Sequence, residues 1–174
     1  MTEKTTRDEI VEAADQLFYT QGYEYSSFAD IANAVQISRG NFYHHFKTKE
    51  EILQAVIALR LARTSAMLAR WEADAETPAE RIRCFIRILI TNRAKIMLYG
   101  CPVGTLSAEL TKLDHSARKQ ANALFELFRS WLAQQFALLG RKKDADALAM
   151  HVLARSQGIA ALAQAFHDKA FVDH

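Results

Sequence analysis

Arg39, Asn41, Tyr43 and His44 share one short stretch, Ser38-Arg39-Gly40-Asn41-Phe42-Tyr43-His44-His45-Phe46, and offer a guanidinium, an amide, a phenol and an imidazole. On a helix advancing about 100° per residue, Phe42 and Phe46 fall on one face and Gly40, Asn41 and His44 on the opposite one. Arg39, Tyr43 and Lys47 flank that second face. From Gln36 to Lys49 the charged residues are Arg39, Lys47 and Lys49, with no acid among them. Cations with no acid between them suit a groove lined by phosphates, so the chemistry is recognition of DNA by a short helix.

The same residue types fail as an active site or a metal centre. Adjacent His44 and His45 project about 100° apart on a helix, which does not converge on one ion. The chain has no glycine-rich phosphate loop, no Cys-x-x-Cys, no Glu-x-x-His and no nucleophile elbow, so no catalytic residue, cofactor or metal is expected.

Two helix starts must position the stretch. Ser38 can cap the short aromatic-basic helix, and Thr48-Lys49-Glu50-Glu51 reads as a capping box opening the next one. Upstream, Thr6-Arg7-Asp8-Glu9 is a second capping box. It is followed by Ile10, Ala13, Ala14, Leu17 and Phe18 at helical spacing, ending near Gln21-Gly22. Ser27 caps a helix whose inward stripe is Phe28, Ile31, Ala32 and Val35. The break at Gln36-Ile37 is so short that this helix and the next must cross steeply as a helix-turn-helix. Residues 1–48 are thus expected to form a three-helix DNA-binding domain, and residues 49–174 a helical domain joined to it by the helix from about residue 49.

In the second part, Ile52, Leu53, Val56, Ile57 and Leu61 form the inward stripe of a linking helix that runs to about Glu72. Thr77-Pro78-Ala79-Glu80 marks the start of another, expected to continue to about Tyr99 and to be buried on more than one side. Gly100-Cys101-Pro102-Val103-Gly104 breaks it, and a short helix through Leu106 to Leu110 follows. Asp114 is expected to cap a long helix ending at Gly140, and Asp144 to start the last one. That last helix carries Ala154, Gly158, Ala161 and Ala165, small residues that let another helix approach closely.

Half of the 174 residues are hydrophobic, with only two prolines and six glycines. That balance supports an all-α fold with ample core. No apolar run approaches the roughly 18–20 residues of a membrane span and the N-terminus lacks a secretion signal, so a cytoplasmic protein with no membrane partner is expected. Cys84 and Cys101 then read as thiols rather than a disulfide. The net charge of +2 is small, but its distribution is uneven: acids crowd the first thirty residues and then vanish until Glu50.

The ordered set Ile10, Ala13-Ala14, Leu17-Phe18, Gly22-Tyr23, Asp30-Ile31-Ala32, Val35 and Ser38 to Phe46, followed by Lys49-Glu50, resembles the tetracycline-repressor (TetR) family of one-component bacterial regulators. The resemblance is specific over the first third of the chain and architectural beyond Glu51. It implies a homodimer on a palindromic, double-stranded DNA operator, usually a repressor, released when a small-molecule effector binds the C-terminal domain. By position, it implies that Arg39, Gly40, Asn41, Tyr43 and His44 enter or flank the major groove and that Lys49 contacts phosphate. Ser26, Ser27 and Ser38 would add hydroxyl or amide contacts at helix N-termini, or act purely as caps. Arg39 suits bidentate reading of guanine and Asn41 of adenine. His45 is read as a packing or backbone-bonded residue rather than a base contact.

The resemblance further implies a cavity lined by Phe85, Leu89, Tyr99, Phe125, Phe128, Trp131 and His151. An apolar or aromatic effector would fit it, with Tyr99 or His151 as its polar group. Effector binding would shift helix four, which carries the three-helix head, so that effector and DNA oppose each other by linkage. Cys101, between Gly100 and Pro102, lies at a helix N-terminus that favours a reactive thiol, and oxidant or electrophile sensing is the alternative trigger. A non-enzymatic helical adaptor for protein or RNA is a further alternative. Family dimers use the last two long helices of each chain, whereas Asp144 to His167 is expected to supply only one here.

Overall fold

The computed structural model describes residues 4–168, which contain nine helices and no strand. The chain is all-α, with an N-terminal helix-turn-helix domain and a C-terminal helical domain. The helices are α1 (Thr6–Thr20), α2 (Phe28–Val35), α3 (Arg39–His45), α4 (Lys49–Asp74), α5 (Pro78–Thr91), α6 (Arg93–Tyr99), α7 (Pro102–Lys112), α8 (Arg118–Leu138) and α9 (Ala145–Phe166). Two compact units emerge. Among the described residues, one comprises 4–62 with 105–121 and the other 63–104 with 122–168. The first reaches past residue 48 along α4 and includes most of α7, so its bounds differ from the expected division at residues 48 and 49.

Local chemistry sets most helix starts. Thr5, Ser27 and Thr77 each cap with a reciprocal box, the third helical residue (Asp8, Asp30 or Glu80) accepting from the cap's own backbone N–H. A cap of this kind contributes about 0.5–2 kcal/mol. The first box is one residue earlier than the sequence suggested, because Thr5 with Asp8 wins over Thr6 with Glu9. At α4 the Thr48 hydroxyl accepts from the Glu51 N–H at 3.1 Å, but the Glu51 carboxylate accepts from the Lys47 N–H at 2.8 Å rather than from the cap.

The helix expected to run unbroken to Tyr99 instead divides at Asn92, whose side-chain amide donates to the Ile88 carbonyl at 2.8 Å. The same carbonyl also accepts from the Asn92 backbone N–H at 3.1 Å, so the side chain adds a second bond at the point where α5 ends. Asp114, expected as an N-cap, adopts φ 47° and closes α7 instead, with the His115 N–H returning to the Leu110 carbonyl at 2.9 Å. Asp144 does precede α9, but its carboxylate pairs with Arg141 and not with the helix amides.

The core of the first unit gathers Ile10, Ala14 and Phe18 from α1, Ile31 and Ala32 from α2, Phe42 and Phe46, and Ile52, Leu53, Val56 and Ile57 from α4. Leu106, Leu110, Ala117 and Ala121 complete it. Each large side chain removed from water contributes about 1.5–3 kcal/mol, which is why α3, only seven residues long, keeps its register. The Arg60 guanidinium adds a pair with Asp15 at 2.6 Å.

In the second unit, Leu68, Ile82, Phe85, Phe128, Trp131, Leu132, Ala149 and Leu153 form one core, and Leu89, Ile96, Ala160 and Ala163 another. By length and composition alone α4 is apolar enough to cross a membrane. Its residues Ile52, Leu53, Val56, Ile57 and Leu68 are instead buried in the protein cores just described.

Candidate functional site

Phe42 and Phe46 are each 1 % exposed, and this anchor turns the other side of α3 to solvent. Arg39, Gly40, Asn41, Tyr43 and His44 are all exposed. Among the described residues, neither the Arg39 guanidinium nor the Asn41 side-chain amide has an internal partner. Tyr43 rests edge-on against Phe28, ring centroids 5.6 Å apart, and remains 45 % exposed. Beside it a recess of about 210 Å³ opens between α2 and α3, lined by Ser27, Phe28, Arg39 and Tyr43 among others. The turn before α3 is tight: Gln36 is left-handed at φ 59°, and the Ile37 N–H donates back to the Ala32 carbonyl at 3.1 Å.

Gly40 is informative because nothing in the protein demands it. A Cβ there would meet only the Ser38 Oγ, at 4.0 Å, and its φ is not in the left-handed region. Internal packing therefore tolerates a side chain, and the absence of one matters only to something approaching from outside.

The serines divide. Ser38 is exposed, and its Oγ accepts from the Asn41 N–H at 3.3 Å, leaving its hydroxyl proton to donate outward. Ser27 is exposed, but its hydroxyl donates to Asp30 at 2.6 Å, and that hydrogen bond first of all holds the Asp30 carboxyl below its usual value. Ser26 is 1 % exposed. Its hydroxyl donates to the Gly22 carbonyl at 2.7 Å, so it locks the loop before α2 and has no surface to present. Lys49 also turns inward. Its ammonium donates to the Glu24 carbonyl at 2.9 Å and lies 4.4 Å from the Tyr23 ring centroid, and partial burial lowers its pKa.

A latch on that same loop was not foreseen from sequence. Both oxygens of Glu109, on α7, accept from backbone, one from the Tyr23 N–H and the other from the Glu24 N–H, each at 2.9 Å. His115 Nδ1 accepts from the Ala117 N–H at 3.0 Å, which leaves the neutral ring's proton on Nε2, facing the Tyr23 hydroxyl at 3.2 Å. The Ser116 hydroxyl donates to Glu50 at 2.6 Å. The loop that leads to α2 and the start of α4 are thus gripped by residues 109–116. No local signal reports contacts across so many residues of chain, which is why sequence periodicity missed them.

The expected effector residues do not all converge. Phe85, Phe128 and Trp131 meet in one core with Phe125 packed against it, and the Phe85 and Phe128 rings are T-shaped at 5.3 Å. Leu89 belongs to the neighbouring cluster, against which Cys101 packs. Tyr99 is half-buried, and His151 is exposed, on the same side of α9 as Ala154 and Gly158. Of the two polar groups expected for the cavity, Tyr99 or His151, His151 therefore does not turn into the core.

A different polar pair does. Glu72, half-buried, accepts from the Trp131 indole N–H at 2.8 Å and from the Gln135 amide at 3.4 Å. Gln135 is fully buried and its Oε1 has no partner. Leaving such an acceptor unpaired costs about 1–3 kcal/mol. Gln135 continues the stripe Leu124, Phe128, Trp131 and Leu132, so its burial was legible in the spacing. Among the described residues no cluster of His, Cys, Asp or Glu could hold a metal ion.

Residues 10–56 match the family model described as bacterial regulatory proteins, tetR family, and residues 78–174 match the LmrA/YxaF-like C-terminal domain of transcriptional regulators. An HTH-type transcriptional regulator in the lacX 3′ region of Lactococcus lactis subsp. lactis is 31% identical over 160 residues, covering 89% of this chain and 81% of that one. The HTH-type transcriptional repressor DhaR of Mycobacterium sp. is 26% identical, covering 91% and 82%. A TetR transcriptional regulator from Legionella pneumophila superposes with a TM-score of 0.87 at 26% identity, covering 99% of this chain and 94% of that one.

Proposed function

This chain belongs to the TetR family of bacterial transcriptional regulators, and from that membership we propose a homodimeric repressor that binds a palindromic operator and releases it when a small molecule occupies the C-terminal domain. Members are DNA-binding regulators and not enzymes. The observation that carries the DNA reading is the exposed pair Arg39 and Asn41. Both are unpartnered among the described residues and sit on a helix fixed from behind by Phe42 and Phe46. Arg39 reads guanine and Asn41 adenine in the major groove, Gly40 admits the backbone, and Tyr43, His44 and Ser38 press on the groove wall. Ser27 and Lys49 act mainly by holding the loop and helix ends, and Ser26 wholly so.

Repression is supported by the name of the Mycobacterium relative. The dimer reading is supported by the outer face of α9, where Ala154, Gly158, Ala161 and Ala165 are exposed alongside Met150, Leu162 and Phe166. α8 and α9, of 21 and 22 residues, are the last two long helices among the described residues. Action on DNA in the cytoplasm follows from the regulator reading. Effector binding beside Phe85, Phe125, Phe128 and Trp131 would act through α4, whose residues enter both units.

Selection of bound sequences from random duplex DNA, followed by titration at several salt concentrations, tests the reading. The expected result is an enriched palindrome bound at least about 10³-fold tighter than unrelated DNA. Binding without sequence preference would overturn it.

A further inference from the structure

Within the second unit, acceptors outnumber donors at one place. Glu72 carries a carboxylate with no cationic partner among the described residues. The Arg81 guanidinium is engaged with backbone, donating to the carbonyls of Glu72 and Ala75 at 3.2 and 3.1 Å. Gln135 has only one chemically sensible orientation. Turning its amide over would set its oxygen against the Glu72 carboxylate, so the Nε2 side faces Glu72 and the oxygen is the atom left unpaired. Glu72 follows Trp71 in the chain and Gln135 lies one helical turn after Trp131, and the two indoles, Trp71 half-buried and Trp131 buried, have ring centroids 5.7 Å apart. An unbalanced negative charge, an unfilled buried acceptor and two electron-rich rings are the complement of one kind of ligand.

We propose that Glu72, Gln135, Trp71 and Trp131 form a recognition site for an organic cation that carries N–H donors on a flat apolar body, an aromatic amidinium being the simplest case. The cation pairs with the remaining Glu72 oxygen, donates one N–H to Gln135 Oε1 and lays its body against the indoles. A neutral aromatic lacks the charge, and a quaternary ammonium lacks the N–H. The inference rests on the second unit being the effector half and assigns that effector a chemical class; it replaces the expected polar groups Tyr99 and His151 with Glu72 and Gln135.

The chain's two tryptophans are both in this site, so intrinsic fluorescence reports on it directly. Benzamidinium titrated into the full chain is expected to give a saturable change. Benzamide should bind at least about tenfold more weakly, and benzyltrimethylammonium should fall between them. Glu72→Gln is expected to erase the preference for benzamidinium over benzamide. Gln135→Met should weaken benzamidinium about tenfold while leaving benzyltrimethylammonium unchanged. If Gln135→Met fails to fold, the wild-type ligand series and Glu72→Gln still decide. Equal affinity for benzamidinium and benzamide, unchanged binding in Glu72→Gln, or an ordered water that satisfies Gln135 and is not displaced would each overturn the site. Operator binding measured without any probe is independent: its absence beside intact probe binding sinks the regulator reading alone, and absent probe binding beside an intact operator complex sinks the site alone.

Discussion

Arg39 and Asn41 are where a single substitution separates reading from folding. Each is exposed and unpartnered among the described residues, so truncation removes nothing the fold uses. Arg39→Ala or Asn41→Ala is expected to cost about 1–3 kcal/mol of operator binding and to relax base preference at one position per half-site, with the thermal midpoint unchanged. Parallel competition assays against single-base operator variants check this. Gly40→Ala goes further because the two effects have opposite signs. With only Ser38 Oγ within 4.0 Å of the added methyl, the helix gains up to about 1 kcal/mol while the operator complex weakens. Weakened binding together with a lowered melting temperature would refute that account.

Helix ends and the loop they share set the next scale. Asp8, Asp30 and Glu80 all have carboxyls held below their ordinary values, chiefly by hydrogen bonds from Thr5, Ser27 and Thr77. Groups with depressed folded values contribute stability that is fully present above the unfolded values, 3.8 for Asp and 4.5 for Glu, and is lost as pH falls below them. Urea midpoints should therefore drop between about pH 5 and about pH 3, and Ser27→Ala, which breaks the box at α2, should flatten part of that slope.

The Glu109 latch makes a second prediction for elements. Glu109→Ala strips the acceptors from the Tyr23 and Glu24 amides, so hydrogen exchange at those two positions should accelerate while α3 amides keep their protection. Operator affinity should fall although no groove-facing residue has changed. Exchange rates identical to wild type would show that the latch is dispensable.

For the whole molecule the governing question is assembly. Gly158 has nothing within 4 Å of a built Cβ, and its neighbours Ala154, Ala161 and Ala165 are exposed, so a bulky residue there is harmless to the single chain. Gly158→Leu or Ala161→Glu is expected to shift sedimentation toward monomer and to lower operator affinity at least about tenfold, because one head grips only half a palindrome. A variant that stays dimeric would remove α9 from the interface.

Much of this was written in local chemistry. Caps, the left-handed close at Gly22, the aromatic anchor of Phe42 and Phe46 and the acid-free run around Arg39 depend on residues a few positions apart, and such short-range forces act the same way wherever the segment lies. Where two local options were nearly equal, as with Thr5 against Thr6 or a continuous turn through Asn92, spacing alone did not choose between them. Tertiary structure alone decided that Ser26 and Lys49 turn inward, that Glu109 and His115 hold the loop before α2, and that His151 faces outward while Glu72 and Gln135 meet beside two indoles. Those outcomes depend on which distant side chains share a dielectric and a hydrogen-bond partner, and that is settled only when the chain closes on itself.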